Sequence, residues 1–307
     1  MGKVFQVVGV GHSCLDHICA IEEYPAEDGS THITSISLQG GGAVATALVA
    51  VSRLGVSAGF VGIAGNDMIS DEIVHLFAID HVSTDFLVRR KEAVGLESFV
   101  MVNPHTGTRT KFPQRDCSQD ILWNEGVCDA IRHAQVLHLD GTQYSNAVHA
   151  AQIAKKAGVT VSLDGCSMQQ DNDKNKQLAS MADILIMNKK YPLRVSGKDT
   201  YEDALLEIAT WGPKTIICTL GERGCLAVVE NKVKGFPAFT VPAIDTTGAG
   251  DVFHGAFLTG MLDGLSLEED IRFASAVSAI KCMHAGGRSG IPTKAEALRF
   301  MNERLWP

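Results

Sequence analysis

The chain has 307 residues, of which 45% are hydrophobic and 20% charged, as is typical of a globular protein with a substantial core. Its formal net charge of −8 argues against nucleic acid as the main partner, because a phosphate backbone selects a basic protein surface. The eight cysteines stand singly without metal-ligand spacing, and no apolar run is long enough to cross a membrane. The sequence therefore predicts reduced thiols, no membrane partner and a cytoplasmic location.

Short runs rich in β-branched residues alternate with amphipathic segments along the chain. The runs predicted as buried strands are residues 4–10, 58–62, 136–139, 159–163, 184–187 and 215–219. The segments predicted as helices include residues 43–54, 145–157 and 200–211, and capping boxes predict further helices after Ser266 and Thr293. Such alternation indicates βαβ units and a mostly parallel sheet with helices on both faces. The predicted fold is therefore an α/β class three-layer α/β/α sandwich.

Two segments, near residues 12–39 and 94–113, depart from this pattern. Polar and apolar residues alternate in both, which favours strands with one face toward solvent. We expect these strands to form a small antiparallel sheet, inserted at two points into a single domain of residues 1–307. Such a sheet needs cover on its second face, so it is predicted to be a lid over a site or a dimer contact.

Three polar residues lie within or at the end of predicted strands. For Asp140 and Asp164, which end their strands, capping of the following turn is favoured over a direct part in the chemistry. His138 is predicted to be a buried strand histidine with satisfied hydrogen bonds rather than a ligand.

The strongest chemical signal is the glycine-rich run of residues 245–251. Apolar residues at four-residue spacing follow it and predict a helix that begins near Gly248. The first turn of a helix has free amide groups and a partial positive charge, and small residues there let an anion approach. Asp251 in that turn could accept a proton from a hydroxyl while the amides stabilise a transferring phosphoryl group. The alternative is a glycine-rich turn in which Asp251 simply stabilises the helix.

Two further glycine-rich stretches are weaker signals. Residues 40–47 place three glycines before small residues, which permits close approach of a ligand to the backbone. Residues 219–224 follow the strand of residues 215–219, and ligands of open α/β sheets bind beyond the carboxyl ends of strands. Each stretch alone is also common in turns of proteins that bind nothing there.

Together these three stretches resemble the ribokinase-like PfkB carbohydrate kinases in order and spacing over essentially the whole chain. Residues 245–251 are similar to the second signature of that family, and residues 40–47 to the first. The resemblance implies the ribokinase-like fold and ATP-dependent phosphorylation of a hydroxyl on a sugar. It also implies ATP and Mg²⁺ as cofactors and a lid that commonly mediates homodimerisation.

The resemblance assigns a role to each matching position. It makes Asp251 the general base and forms the anion hole from Gly248, Ala249 and Gly250. The positions assigned to the sugar acceptor are Asp16, Gly41, Gly42 and Thr46, and those assigned to the nucleotide are Asn188, Thr219, Gly221, Gly224 and Gly287.

The sequence departs from the family pattern at two positions. Thr46 stands where the first signature usually has asparagine, which puts one acceptor hydrogen bond in question. The family's N-x-x-E motif has Asn188, but Tyr191 replaces its acid, so the magnesium ligands are unknown. Mg²⁺ commonly retains several waters and binds substrate phosphates, so activity does not require that acid.

In motif detail the chain resembles the sulfofructose kinase branch, and the favoured acceptor is a ketohexose derivative. Ser30 stands where that branch is expected to have a lysine, so a sulfonate is not assigned. Arg109, Lys111 and Arg115 are candidates to face an anionic substituent of the acceptor, and exposed lid charges are the favoured alternative.

Two other functions remain open on the sequence. A nucleoside kinase of the same fold would favour an aromatic-rich acceptor pocket, whereas aromatic residues make up only 6% of this chain. A catalytically silent nucleotide or sugar sensor is suggested by Tyr191. The retention of Asp251 within its complete turn weighs against the sensor.

Overall fold

The computed structural model describes residues 4–103, 105, 108–114, 120, 121, 123–166 and 169–306. The strands of these residues are β1 (Val7–Val10), β2 (Cys14–Ile21), β3 (Ile33–Gly41), β4 (Ala58–Ala64), β5 (Ser83–Arg89), β6 (Glu97–Val102), β7 (Arg109–Pro113), β8 (Val136–Asp140), β9 (Thr160–Asp164), β10 (Ile184–Asn188), β11 (Thr215–Thr219), β12 (Cys225–Val229) and β13 (Lys232–Phe236). The α-helices are α1 (Ala43–Arg53), α2 (Met68–Ile79), α3 (Glu125–Arg132), α4 (Tyr144–Ala157), α5 (Asn172–Met181), α6 (Tyr191–Ser196), α7 (Tyr201–Ala209), α8 (Ala249–Leu262), α9 (Leu267–Cys282) and α10 (Lys294–Glu303).

Nine strands form one large sheet in the order β13-β12-β11-β10-β9-β8-β1-β4-β5. Its strands pair in parallel from β11 to β5, and among the described strands only the pairs β11–β12 and β12–β13 are antiparallel. The mostly parallel sheet is therefore confirmed. The β12–β13 hairpin was not predicted, because its turn residues Glu230 and Asn231 have φ of 48° and 60° without the Asn-Gly pair that usually marks such a turn.

Successive residues of each central strand point into two separate cores. In β10, Ile184 and Ile186 belong to one core, whereas Leu185 and Met187 belong to the other. The first core contains residues from α1, α2, α8, α9 and α10, and the second contains residues from α3 to α7. This division confirms the predicted three-layer sandwich.

The predicted helix starts are present as hydrogen-bonded caps. The Thr200 side chain accepts from the Asp203 amide at the start of α7. Ser266 with Glu269, and Thr293 with Glu296, form complete capping boxes at α9 and α10. At the starts of α9 and α10, side chains close in sequence thus accept hydrogen bonds from two backbone N–H groups that have no acceptor within the helix. These helix starts could therefore be predicted from the local sequence.

The small sheet has the strand order β3-β2-β6-β7 and is built from both predicted segments. Its outer pairs are antiparallel, but β2 and β6 are parallel, so the prediction of an antiparallel sheet was wrong for that pair. The reason lies in the connection, because the chain passes through the large sheet as α1, β4, α2 and β5 before returning as β6. A crossover of that length allows the returning strand to run in the same direction.

The two faces of the small sheet differ in character. The pairing places Leu38, His17, Phe99 and Phe112 in one row across the four strands, and Phe112 is 55% exposed. Asp16 lies on the opposite face, which it shares with Lys111 and Arg109 because alternate residues of β7 point the same way. The face that carries Asp16 is the one turned toward the large sheet.

The seven cysteines of the described ranges are free thiols, and Cys117, like Arg115, lies outside those ranges. No helix built from the described residues combines the length and apolar character needed to span a bilayer.

Candidate active site

Four polar residues meet at one edge of the large sheet because their strands are parallel. Asp140, Asp164, Asn188 and Thr219 are the last residues of β8, β9, β10 and β11. Helix α8 begins at the same edge, since His254 in its second turn places Nε2 3.3 Å from Asp164 Oδ1. The turn that was predicted to bind phosphate therefore lies beyond the carboxyl ends of these strands, as expected for a ligand site in this class of fold.

The turn before α8 leaves its amide groups accessible. Gly248 is the N-cap with φ of 72°, a conformation that favours glycine, and no described side chain caps the helix. Gly250 is exposed, and a Cβ added there would meet nothing within 4 Å. Gly287 lies against the turn, with its carbonyl 2.8 Å from the position that a Gly248 Cβ would occupy. An anion could thus reach the first-turn amides without displacing protein.

Asp245 holds this turn to the loop that follows α9. Its carboxylate accepts hydrogen bonds from the amides of Thr247 at 2.7 Å and Gly286 at 2.8 Å, while Lys281 Nζ donates to its carbonyl at 2.8 Å. Burial alone would raise the pKa of Asp245, but the hydrogen bonds from Thr247 and Gly286 hold it below its usual value. The turn is therefore fixed by an ionised carboxylate.

Asp251 lies in the first turn of α8 and is half-buried, so it keeps access to the site. Loss of contact with water raises its pKa to about 7, with repulsion by Asp164 acting in the same direction and attraction by His254 opposing it. A carboxylate with a pKa near neutral pH is suited to general-base catalysis at that pH.

On the acceptor side, Asp16 lies directly against the first glycine stretch. A Cβ on Gly41 would overlap Asp16 Oδ2, and Gly42 has φ of 98° with its missing side chain pointing at the His12 carbonyl. The other Asp16 oxygen, Oδ1, accepts from Cys14 Sγ at 3.4 Å. The structure thus brings Asp16, Gly41 and Gly42 together, as their assignment to one subsite requires.

Thr46 and Arg288 form a buried pair beside this subsite. Arg288 Nε donates to Thr46 Oγ1 at 3.2 Å and Nη2 donates to the Gly41 carbonyl at 2.9 Å. Arg288 is only 5% exposed, and burial lowers its pKa to about 10, so it remains charged at neutral pH. The hydroxyl of Thr46 therefore already has a protein partner.

Arg109 reaches from the small sheet to the turn before the anion hole. Its Nη1 donates to Thr246 Oγ1 at 3.0 Å and lies 3.7 Å from Asp245 Oδ1. The contact with Thr246 and Asp245 gives the charge of Arg109 a partner within the protein, so no anionic sugar substituent is needed to account for it. Lys111 lies close enough to lower the pKa of Asp251. The small sheet is thus in contact with the turn across the site.

The residues assigned to the nucleotide lie at the ends of β10 and β11. Asn188 Oδ1 accepts from the amides of Lys190 and Tyr191 at 2.9 and 3.2 Å, and Thr219 Oγ1 donates to the Met187 carbonyl at 3.3 Å. Gly221 and Gly224, in the following loop, have φ of 65° and 84°. Both glycines are thus needed by the loop itself.

Tyr191 does not point into the site. Its side chain is 2% exposed, packs in the second core and donates to the Asn175 carbonyl at 3.4 Å. The described residues contain no group of three or more His, Cys, Asp or Glu able to hold a metal.

Comparison with known proteins identifies the family. The sequence model of pfkB family carbohydrate kinases matches residues 5–294. The chain belongs to the PfkB family of carbohydrate kinases. It is 28% identical over 309 residues to a ribokinase from Haemophilus influenzae, with 98% of this chain and 99% of that protein covered. It is 32% identical over 285 residues to a probable fructokinase-2 from Arabidopsis thaliana, with 85% and 86% covered.

The same fold is found in a solved structure of a putative ribokinase. The crystal structure of a putative ribokinase from Agrobacterium tumefaciens superposes with a TM-score of 0.89 at 24% identity and covers 98% of both chains. The predicted family, its ribokinase-like fold and kinase activity are thus confirmed for this PfkB kinase. None of the relatives named here is a sulfofructose kinase, so that branch remains a prediction.

Behind Asp251 the PfkB kinase contains a buried group of two histidines and a carboxylate that sequence reasoning missed. The rings of His138 and His254 are 5.4 Å apart, and His254 contacts Asp164. His138 Nδ1 is 3.2 Å from Ser162 Oγ, but within the described residues its Nε2 has no hydrogen-bond partner, and neither has His254 Nδ1. The prediction that His138 is fully satisfied was therefore wrong for one ring nitrogen.

The turn-capping prediction for the two strand-end acids is confirmed. Asp140 accepts from the amides of Thr142 at 2.9 Å and His12 at 3.1 Å, and Asp164 accepts from the Cys166 amide at 2.8 Å. Sequence reasoning also missed the role of Arg288, whose only local signal is a charge within a glycine-rich loop.

Proposed function

We propose that this PfkB kinase transfers the γ-phosphoryl group of ATP to a hydroxyl of a sugar, with Asp251 as the general base. The observation that carries the proposal is that the half-buried Asp251 stands in a helical turn whose Gly250 faces open space, and that Asp251 and Asp16 both lie close enough to Arg288 to raise its pKa. A proton acceptor, an anion site and an acceptor subsite thus adjoin one another.

The geometry suggests a direct displacement. Asp251 takes the proton of the acceptor hydroxyl, the acceptor oxygen bonds to the γ-phosphorus, and the bond from that phosphorus to the ADP oxygen breaks. The amides of Gly248 and Gly250 would stabilise charge on the transferring group, whereas the Ala249 amide already donates to the Thr246 carbonyl at 3.3 Å. With the pKa of Asp251 raised to about 7, kcat/KM should fall as the pH is lowered through about 7, because the base becomes protonated.

The favoured acceptor is a ketohexose derivative bound by Asp16, Gly41 and Gly42. Asp16 could accept hydrogen bonds from sugar hydroxyls, and the preference for a ketohexose rests on the motif resemblance alone. Bound ATP would bring Mg²⁺ with its phosphates, near Asn188, Thr219, Gly221, Gly224 and Gly287. The small sheet would serve as a lid, and the Arg109 contact with Thr246 supports its closing over the turn and excluding water.

We also propose that the outer face of the small sheet forms a homodimer. Ile36, Leu38 and Phe112 are 60%, 50% and 55% exposed and lie on the two edge strands, β3 and β7, on the same face of the sheet, which a second copy would cover. Light scattering should report a dimer for the natural protein and a monomer for Phe112→Ser. A natural protein that remains monomeric at all concentrations contradicts this proposal. The free thiols fit the predicted cytoplasmic location.

The test is release of ADP from ATP with magnesium, measured against ketoses, aldoses, sugar acids, sulfosugars and nucleosides. One acceptor should stimulate release, and Asp251→Asn should lower kcat by about 10²–10⁴-fold. Asp263→Asn is the matched control, since Asp263 is the exposed C-cap of the same helix. If only a nucleoside stimulates ADP release, the enzyme is a nucleoside kinase and not a sugar kinase. ATP binding without turnover would favour a sensor. Full activity of Asp251→Asn would exclude Asp251 as the base.

A further inference from the structure

The buried group behind Asp251 contains titratable side chains that the phosphoryl transfer described above does not use. His254 Nε2 lies 3.3 Å from Asp164 Oδ1, and the two side chains are 4% and 3% exposed. His254 follows Asp251 by three residues on α8, so both side chains lie on the same face of the helix. One imidazole thus contacts one carboxylate and neighbours another.

Two carboxylates that share a poorly hydrated space oppose each other's ionisation. Asp164 and Asp251 are in this relation, and His254 Nε2 lies 3.3 Å from Asp164 Oδ1. Attraction by His254 holds the pKa of Asp164 below its usual value although burial alone would raise it. Asp164 therefore stays ionised, and its charge must be balanced if Asp251 is to lose its proton as well.

His254 is the group placed to balance that charge. The neighbouring His138 has no carboxylate contact among the described residues, and burial lowers its pKa to about 3, so it is neutral. The charged groups that face Asp251 from the surrounding elements are Asp140, Asp164, His254, Lys111, Lys281 and Arg288. Of the cations, Lys281 is bonded to Asp245 and Arg288 to Thr46 and Gly41, while Lys111 is on the exposed lid strand.

We propose that His254, paired with Asp164, is a positioning residue that supplies the buried positive charge against which Asp251 stays ionised as the base. The proposal rests on the proposed function, because it explains how Asp251 serves in that reaction. The pair would act through charge and not by touching the substrate. Its removal should therefore change the pH dependence of the reaction more than the binding of ATP.

The decisive comparison uses two substitutions that remove opposite charges from the pair. His254→Gln keeps an amide donor for Asp164 but removes the charge, so the acid limb of the kcat/KM profile should move up by about one pH unit. Asp164→Asn removes the negative charge, so the limb should move down. The double variant should return toward the natural profile. Exposed His75→Gln and Asp199→Asn are matched controls, for which no shift is expected.

A second measurement does not depend on the acceptor. The carboxyl carbon of Asp251 in protein labelled with ¹³C-aspartate can be assigned by its loss in Asp251→Asn and titrated in each variant. Shifts of opposite sign in His254→Gln and Asp164→Asn are expected. Shifts in the same direction, or none, in correctly folded variants overturn the inference. Failure to find any acceptor would count against the proposed function, whereas the titration would still test the pair.

Discussion

The two glycine-rich segments of the site, residues 40–42 and 248–250, differ in what their missing side chains leave room for. In the first segment the space is taken by the protein. A Cβ on Gly40 would overlap the Arg288 guanidinium, one on Gly41 would overlap Asp16, and one on Gly42 would overlap the His12 carbonyl. In the second segment a Cβ on Gly250 would meet nothing.

The difference separates glycines that the fold requires from a glycine that only the proposed ligand would require. Gly250 lies inside a helix, where alanine would be more favourable by about 0.5–1 kcal/mol. Nothing in the described protein explains its presence, but the phosphate proposed to approach this turn would. Gly42, in contrast, has φ of 98° and would be strained as any other residue.

The largest effect is expected for Gly250→Ala, and it should fall on activity. The added methyl group would enter the space proposed for the phosphoryl group, and a displacement of about 1 Å can cost about 10²-fold in rate. The free energy of unfolding should stay equal or rise. Both quantities are measurable by ADP release and equilibrium denaturation.

Gly126→Ala is the matched control for that experiment. Gly126 is also the second residue of its helix, and its Cβ would meet only Asn124 Oδ1, at 3.3 Å. It should change stability in the same direction and leave kcat unchanged. If Gly250→Ala is as active as the natural protein, Gly250 does not border the phosphoryl group.

The next effect is expected for Gly42→Ala, and it should fall on stability. The positive φ alone costs about 1–2 kcal/mol, and overlap with the His12 carbonyl adds to it, so unfolding should become easier by at least about 2 kcal/mol. Gly55→Ala isolates the backbone part, because Gly55 has φ of 95° and nothing within 4 Å. If Gly42→Ala and Gly55→Ala lower the free energy of unfolding equally in denaturant titrations, the overlap with the His12 carbonyl is relieved without a cost in stability.

The smallest effect is expected for Thr46→Val, which removes the acceptor of the Arg288 Nε hydrogen bond. An unsatisfied buried donor costs about 1–3 kcal/mol, so stability should fall by about that much and the acceptor KM should rise as Gly41 loses its support. Thr259→Val is the control, since the buried Thr259 hydroxyl donates only within its own helix, to Gly255. An unchanged KM would show that Arg288 supports the fold but not the acceptor subsite.

Much of the architecture was readable from the sequence because its causes are local. Apolar periodicity located the central strands and most of the helices, and caps such as Ser266 with Glu269 act within one turn. Asp251 and its turn were found because helix geometry makes an anion site from consecutive residues. Strand β5 was missed because its residues are only partly buried and lack a clear alternation.

Tertiary structure alone decided the contacts that surround Asp251 and Asp16. Arg288 meets Thr46 across a separation of 242 residues, and His254 meets Asp164 only because α8 begins where β9 ends. Neither pair leaves a periodic or local pattern, so no reading of neighbouring residues could reveal it. The sequence by itself determined the elements and the candidate base, whereas packing determined which charges surround Asp251, because electrostatic interactions depend on distance in space and not on distance along the chain.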